Sequence, residues 1–422
     1  MTKRRAIGPT AWILGGAGLF IGAVAAWLVS QGNPGNMGLC IACFLRDITG
    51  FFVGGSTNQA AVAYIRPEIV GIILGALAAA LVTREFRPRG GSQPVVRFVL
   101  GFIFMVGALI FLGCTVRAWL RLGGGDLSAL WGIAGIVAGV IIGVVFLKRG
   151  FNLGRAKAVA RPLGWLLPAV AVVLLVFALV SAYGAKPGWA TVTPENARAV
   201  VPGQVVVAPD GDGLKVLKPA DGNGDPTASI VDGAVVADDG TVLADAGKVA
   251  ATKPMPGGKR AALWVSLIAG LAIGVVAQRS RFCSIGGIRD AILVRRYDLL
   301  FGVIGLLIGA TVVNLMLGQY VVGFEGQPVA HNDALGSFAA MTVATFAAVL
   351  LGGCPFRQVI MGAEGDADSF VAVVGMLVGA GATHFYNLAS SPLGLAENAW
   401  PALGVMAAIL VAVALAGSRK TA

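Results

Sequence analysis

The chain has 422 residues, of which 57% are hydrophobic and 13% charged, and its formal net charge is +11. A water-soluble domain carries about 25% charged residues, so this composition excludes a soluble globule and specifies a multi-spanning membrane protein. The excess positive charge sits in short loops and at the two termini, the positive-inside pattern, and no basic stripe interleaved with aromatics suggests a nucleic-acid partner.

The first apolar run follows Thr2-Lys3-Arg4-Arg5 and covers 11–30; it lacks a small-residue cleavage site and reads as a retained spanning helix. Nine further runs of spanning length follow at roughly 67–83, 97–113, 128–147, 164–183, 261–278, 299–317, 336–352, 369–388 and 399–416. Trp12, Trp131, Trp165, Trp264 and Trp400 stand at segment starts, where interfacial aromatics belong. Gly pairs at small-xxx-small spacing, such as Gly71/Gly75, Gly135/Gly139/Gly143, Gly270/Gly274, Gly305/Gly309 and Gly375/Gly379, predict close helix packing.

Lys3, Arg4 and Arg5 place the N-terminus in the cytoplasm. The loops with Arg84, Arg87, Arg89 and Arg97, with Lys148, Arg149, Arg155, Lys157 and Arg161, and with Arg279, Arg281, Arg295 and Arg296 then fall on the same side. Arg419 and Lys420 put the C-terminus there too. The expected fold is therefore an all-α polytopic membrane protein of about ten transmembrane helices in two inverted five-helix repeats, residues 1–183 and 261–422, in a bacterial inner membrane. Residues 184–260, rich in Gly, Asp and Val with Asp-Gly and Asn-Gly steps, are expected to form a small β-rich extracytoplasmic insertion or linker.

Two motifs each occur twice. Cys-x5-Arg-Asp appears as Cys40…Arg46-Asp47 and as Cys283…Arg289-Asp290; Gly-Cys-x-x-Arg-x8-Asp appears as Gly113-Cys114…Arg117…Asp126 and as Gly353-Cys354…Arg357…Asp366. The copies are offset by 243 and 240 residues. Ionisable groups in a membrane protein are costly and mark a site or pathway, so a duplicated set predicts one centre built from both halves. The motif segments are apolar but too short to span, which predicts re-entrant or broken helices lining a cavity. Cysteine three residues before arginine places thiol and guanidinium on one helix face, as in Cys43/Arg46, Cys114/Arg117 and Cys354/Arg357. A guanidinium suits a hard oxyanion, a thiol suits sulfur or selenium, and the start of a broken helix adds N–H donors. The set thus fits a small anion with an oxygen end and a chalcogen end, such as thiosulfate or a selenium analogue. A purely structural role remains open for the aspartates Asp47, Asp126, Asp290 and Asp366, which can neutralise the arginines and clamp helix ends.

Among the other polar residues, Glu68 reads as a dipole-favouring acid at a helix start, Asn314 as a cavity-lining or interhelical group, His331 as an exposed loop residue and His384 as a packing or capping residue. The histidines have no metal-ligand spacing, no nucleotide fingerprint is present, and neither metal nor cofactor is expected. Cys40-Ile-Ala-Cys43 also forms a C-x-x-C, so a membrane thiol–disulfide oxidoreductase is the rival reading. It is disfavoured because Gly286 replaces Cys43 in the second copy, and the chain is read as a non-enzyme. A scaffold acting through the 184–260 insertion is a third reading.

At Met37-Gly-Leu-Cys-Ile-Ala-Cys-Phe-Leu-Arg-Asp47, Tyr64-Ile-Arg-Pro-Glu68, Arg281-Phe-Cys-Ser-Ile-Gly-Gly-Ile-Arg-Asp290 and Leu351-Gly-Gly-Cys-Pro-Phe-Arg357 the chain resembles the YeeE/YedE sulphur-transport family, in particular the YedE branch associated with selenium. The resemblance implies an inverted-repeat importer in which central cysteines pass a thiosulfate-like ion by transient sulfur-to-sulfur hydrogen bonds. By motif position that role falls on Cys40, Cys114, Cys283 and Cys354, with Cys43 an addition to the pattern. The resemblance also implies a small cytoplasmic sulfurtransferase-like partner of the SirA/TusA type.

Overall fold

A computed structural model describes residues 8–53, 64–180, 260–392 and 394–418, together with six strand segments between 199 and 245. The terminal residues Lys3, Arg4, Arg5, Arg419 and Lys420, and the rest of 184–259, lie outside the described residues.

The architecture is mostly helical. The first half contains α1 (Pro9–Ser30), α2 (Ile41–Val53), α3 (Pro67–Val82), α4 (Pro94–Ile110), α5 (Thr115–Gly123), α6 (Ala129–Lys148), the single turn α7 (Arg161–Gly164) and α8 (Leu166–Val180). The second contains α9 (Leu263–Ser280), α10 (Ser284–Val294), α11 (Asp298–Met316), α12 (Ala334–Leu351), α13 (Pro355–Ala363), α14 (Ala367–Phe385) and α15 (Ala399–Ser418). Every one of the ten apolar runs is helical, but only eight segments are long and apolar enough to cross a membrane among the described residues. The difference lies in Pro67–Val82 and Leu166–Val180, of 16 and 15 residues, which are apolar yet shorter than the roughly 20 a bilayer core requires. The chain is a multi-pass membrane protein. The five interfacial tryptophans are all exposed, as are Ile268, Val312 and Leu315 on the outward helix faces, the arrangement a lipid-facing surface requires.

Strands β1 (Arg89–Gly90) and β2 (Lys157–Ala158) form a two-residue antiparallel ladder. Between the halves, β3 (Ala199–Val200), β4 (Val205–Asp210) and β5 (Gly213–Pro219) make one three-stranded antiparallel sheet, and β6 (Ala228–Val231), β7 (Ala234–Ala237) and β8 (Val242–Asp245) a second.

The halves interlock rather than lie side by side. The main helix pairs are α1 with α11, α3 with α9, α4 with α14 and α6 with α12, each joining one half to the other. Glycine makes these pairs possible. A Cβ at Gly22 would fall 2.1 Å from the Leu306 carbonyl oxygen, and one at Gly18 would fall 1.8 Å from that of Gly302. The α3–α9 pair is as tight, with Gly71, Gly75, Gly270 and Gly274 each against facing backbone. Gly22→Leu is therefore expected to abolish the folded monodisperse species, because backbone cannot yield as a side chain does and overpacking costs at least about 1–3 kcal/mol. Detergent size-exclusion chromatography with thermal unfolding checks this; a wild-type profile would contradict it.

At one end of the bundle the first-half loop 84–92 docks onto second-half segments. Glu85 accepts hydrogen bonds from Gln278 at 2.6 Å and from Arg281 at 3.1 Å, and its pKa is lowered first by the Gln278 bond and then by Arg281 and Arg279. The Arg87 and Arg89 amides donate to the carbonyls of Glu364 and Gly365, and Asp368 accepts from the Gly91 and Ser92 amides. Three of the basic loops that the sequence assigns to one side, at 84–89, 157–158 and 279–281, thus meet at one end.

Candidate functional site

The four motif segments form the four short helices α2, α5, α10 and α13, and each begins directly after a cysteine: Cys40, Cys114, Cys283 and Cys354. The breaks have local causes. Helix α4 ends where the Gly113 amide donates to the Ala108 carbonyl at 2.7 Å, with Leu112 in the left-handed region at φ 62°. Helix α12 ends identically, Gly353 donating to Ala348 at 3.0 Å, with Gly352 at φ 99° in the matched place. Pro355 then starts α13, where its missing N–H costs nothing.

The cysteines meet in two matched pairs. Cys40 Sγ accepts the Cys43 amide at 3.3 Å and the Cys114 amide at 3.4 Å. Cys283 Sγ accepts the Gly286 amide at 3.2 Å and the Cys354 amide at 3.3 Å. Each thiol thus caps its own helix and receives an N–H from the start of the facing one. The two pairs adjoin across the halves, since the Thr115 and Ser284 hydroxyls, each one residue beyond a capping cysteine, lie 2.8 Å apart. All five cysteines are buried free thiols, with Cys283 the most accessible at 6%. Two helix starts thus meet at each cysteine pair, and the Thr115–Ser284 contact joins the two pairs.

The arginines divide. Arg46 pairs with Asp47 at 2.6 Å, and the second Asp47 oxygen binds Arg66, also at 2.6 Å. Arg289 pairs with Asp290 at 2.8 Å. Asp126 binds Arg121, not Arg117, at 2.6 Å, and caps the start of α6 through the Ser128 amide. Asp366 binds Arg89 at 2.8 Å and caps α14 through the Ser369 amide. Arg357 pairs with Glu364 at 3.1 Å. Arg117 is completely buried and donates to the carbonyls of Asn36, Leu112 and Val329, with the Cys43 sulfur 3.7 Å away. Among the described residues no carboxylate pairs with it.

Two sequence expectations change. His331 is buried at 3% exposure, not an exposed loop residue, because its Nε2 bonds the Ile110 carbonyl at 2.9 Å near the end of α4. Glu68 does start a helix, but it is also fully buried and receives hydrogen bonds from Asn33 and Ser266, both at 2.8 Å, so it ties α3 to the second half. Asn314 makes an interhelical bond to the Gly123 carbonyl at 3.1 Å, and His384 packs near the end of α14 with Nε2 3.3 Å from the Arg46 carbonyl. Sequence reasoning missed Arg66, Arg121 and Glu364 as ion-pair partners. Arg121 carried a signal, standing four residues after Arg117 on a helix too short to lose an unpaired charge to solvent.

Compared with known proteins, residues 1–118 match a family model described as sulphur transport. No curated protein matches the chain.

Proposed function

We propose, from the match of residues 1–118 to a sulphur-transport family model together with the duplicated cysteine motifs, that this chain is a membrane transporter that imports a small sulfur- or selenium-containing anion past its buried thiols. The observation that carries the reading is the meeting of four helix starts from both halves, each directly after a cysteine. Amide N–H groups and helix dipoles attract the oxyanion end. The thiols of Cys40, Cys114, Cys283 and Cys354 offer S–H donors to the chalcogen end and pass it between neighbours. Arg46, Arg117, Arg289 and Arg357 supply positive charge along the way, with Asp47, Asp126, Asp290 and Asp366 holding helix ends and limiting that charge.

An inverted repeat supports a single central path. Exchanging α1 with α9, α3 with α11, α4 with α12 and α6 with α14 converts the pair α1–α11 into α9–α3 and the pair α6–α12 into α14–α4, all of them observed packings. By the positive-inside rule we read the basic end of the bundle as cytoplasmic, in a bacterial inner membrane. A cytoplasmic sulfurtransferase-like protein of the SirA/TusA type would receive the imported sulfur there.

Proteoliposome uptake tests the reading. Labelled thiosulfate is expected to enter protein-containing vesicles well above empty ones and to be inhibited by selenium-bearing analogues. Uptake no faster than in empty vesicles, for thiosulfate and selenite alike, would overturn it.

A further inference from the structure

The two halves place their matched arginines in opposite electrostatic settings. Arg117 is buried with three carbonyls and a thiol around it and no carboxylate among the described residues. Arg357, at the same place in the second motif copy, donates from both terminal nitrogens to the two oxygens of Glu364, at 3.1 and 3.3 Å. Glu364 stands seven residues after Arg357, and the residue seven after Arg117 is Gly124. A Cβ at Gly124 would meet the Asn36 side-chain amide, with Oδ1 at 2.1 Å. One half has a carboxylate at this register and the other has glycine.

Glu364 is itself buried, at 2% exposure, and faces two further guanidinium groups, Arg89 at 3.7 Å and Arg281 at 3.8 Å. Arg89 belongs to the first-half loop, and Arg281 lies two residues before Cys283. One carboxylate therefore links the helix start bearing Cys354, the segment leading to Cys283 and the opposite half.

We propose that Glu364 sets the release step of transport. It competes with the passing anion for Arg357, so that the Arg117 end captures and the Arg357 end lets go. The inference rests on the reading that the anion passes both arginines. An anion at Arg117 meets an uncompensated charge in a low-dielectric site, where attraction is strong. An anion at Arg357 must displace a carboxylate already bound bidentately. Conduction needs binding strong enough for capture yet weak enough for departure. Two uncompensated arginines would hold the ion, and one neutralised arginine on the basic side of the bundle makes the path descend toward that side.

The test uses the full-length protein in proteoliposomes with thiosulfate as the probe. Glu364→Gln removes the competitor; it is expected to lower KM by about 10- to 100-fold, the range a hydrogen bond to a charged group carries, and to lower the maximal rate as well. Glu364→Asp keeps the charge and is expected to restore most of the wild-type split. Arg281→Gln frees Glu364 from one competing partner and is expected to raise KM, an effect of opposite sign that remains readable if Glu364→Gln does not fold. An unchanged or raised KM in folded Glu364→Gln, or an unchanged or lowered KM in Arg281→Gln, would overturn the proposal. Failure of the pathway reading is a separate result, in which Arg117→Gln transports normally.

Discussion

Cys114→Ala and Cys354→Ala are each expected to cut thiosulfate uptake in proteoliposomes by about tenfold or more while leaving the protein folded. Each thiol stands at the start of a half-helix beside the capping cysteine of its partner, Cys40 or Cys283. Removing it deletes one S–H donor from the line and opens a gap that a methyl group cannot bridge by hydrogen bonding. One such bond is worth about 1 kcal/mol, or roughly fivefold, and the interrupted succession of donors adds to that. Cys40→Ala and Cys283→Ala are expected to lose uptake and also stability, because Cys40 Sγ accepts two backbone amides and Cys283 Sγ does the same. Those amides would be left buried and unmatched. Uptake with thermal unfolding on all four variants separates these effects. Undiminished uptake in all four would remove the thiol relay. With Cys43→Ala measured alongside them, loss confined to Cys40→Ala and Cys43→Ala would instead favour a dithiol redox pair.

Arg117→Gln is expected to reduce uptake by about 10- to 100-fold, the equivalent of the roughly 1.5–3 kcal/mol that a hydrogen bond to a charged group contributes. The argument is one of charge accounting. A buried guanidinium without a carboxylate is costly, and a fold keeps such a group where an anion completes it. Glutamine retains a donor for one of the carbonyls of Asn36, Leu112 and Val329 but carries no charge. Arg117→Lys is expected to recover little, since a point charge cannot span three carbonyls and still present a flat face to an oxyanion. The paired arginine Arg46 is expected to respond less in uptake and more in stability, because Asp47 already neutralises it and also holds Arg66. Equal loss of uptake and thermal stability in Arg117→Gln would reassign the residue to a purely structural role.

The fold was legible where one physical demand dominates the sequence. Lipid imposes long apolar runs, and each of the ten became a helix. The glycine spacing announced the close helix pairs, but not that each pair would join opposite halves. The motif repeats marked the four short helices, since each motif segment is apolar but too short to span. Ion-pair partners were not legible. Asp126 chose Arg121 and Asp366 chose Arg89, which lies 277 residues away, since burial and loop docking decide such pairs rather than spacing. His331 misled for the same reason, its loop being folded under the end of α4. Pro67–Val82 and the described part of the 164–183 run, Leu166–Val180, are apolar but 16 and 15 residues long.

The most direct measurement is anomalous diffraction from crystals of the protein soaked in selenosulfate, which substitutes selenium for the outer sulfur of thiosulfate. A selenium peak in contact with the sulfur atoms of the Cys40–Cys114 or Cys283–Cys354 pair is the predicted result. Peaks confined to the lipid-facing surface, in protein that still transports the ion, would contradict it.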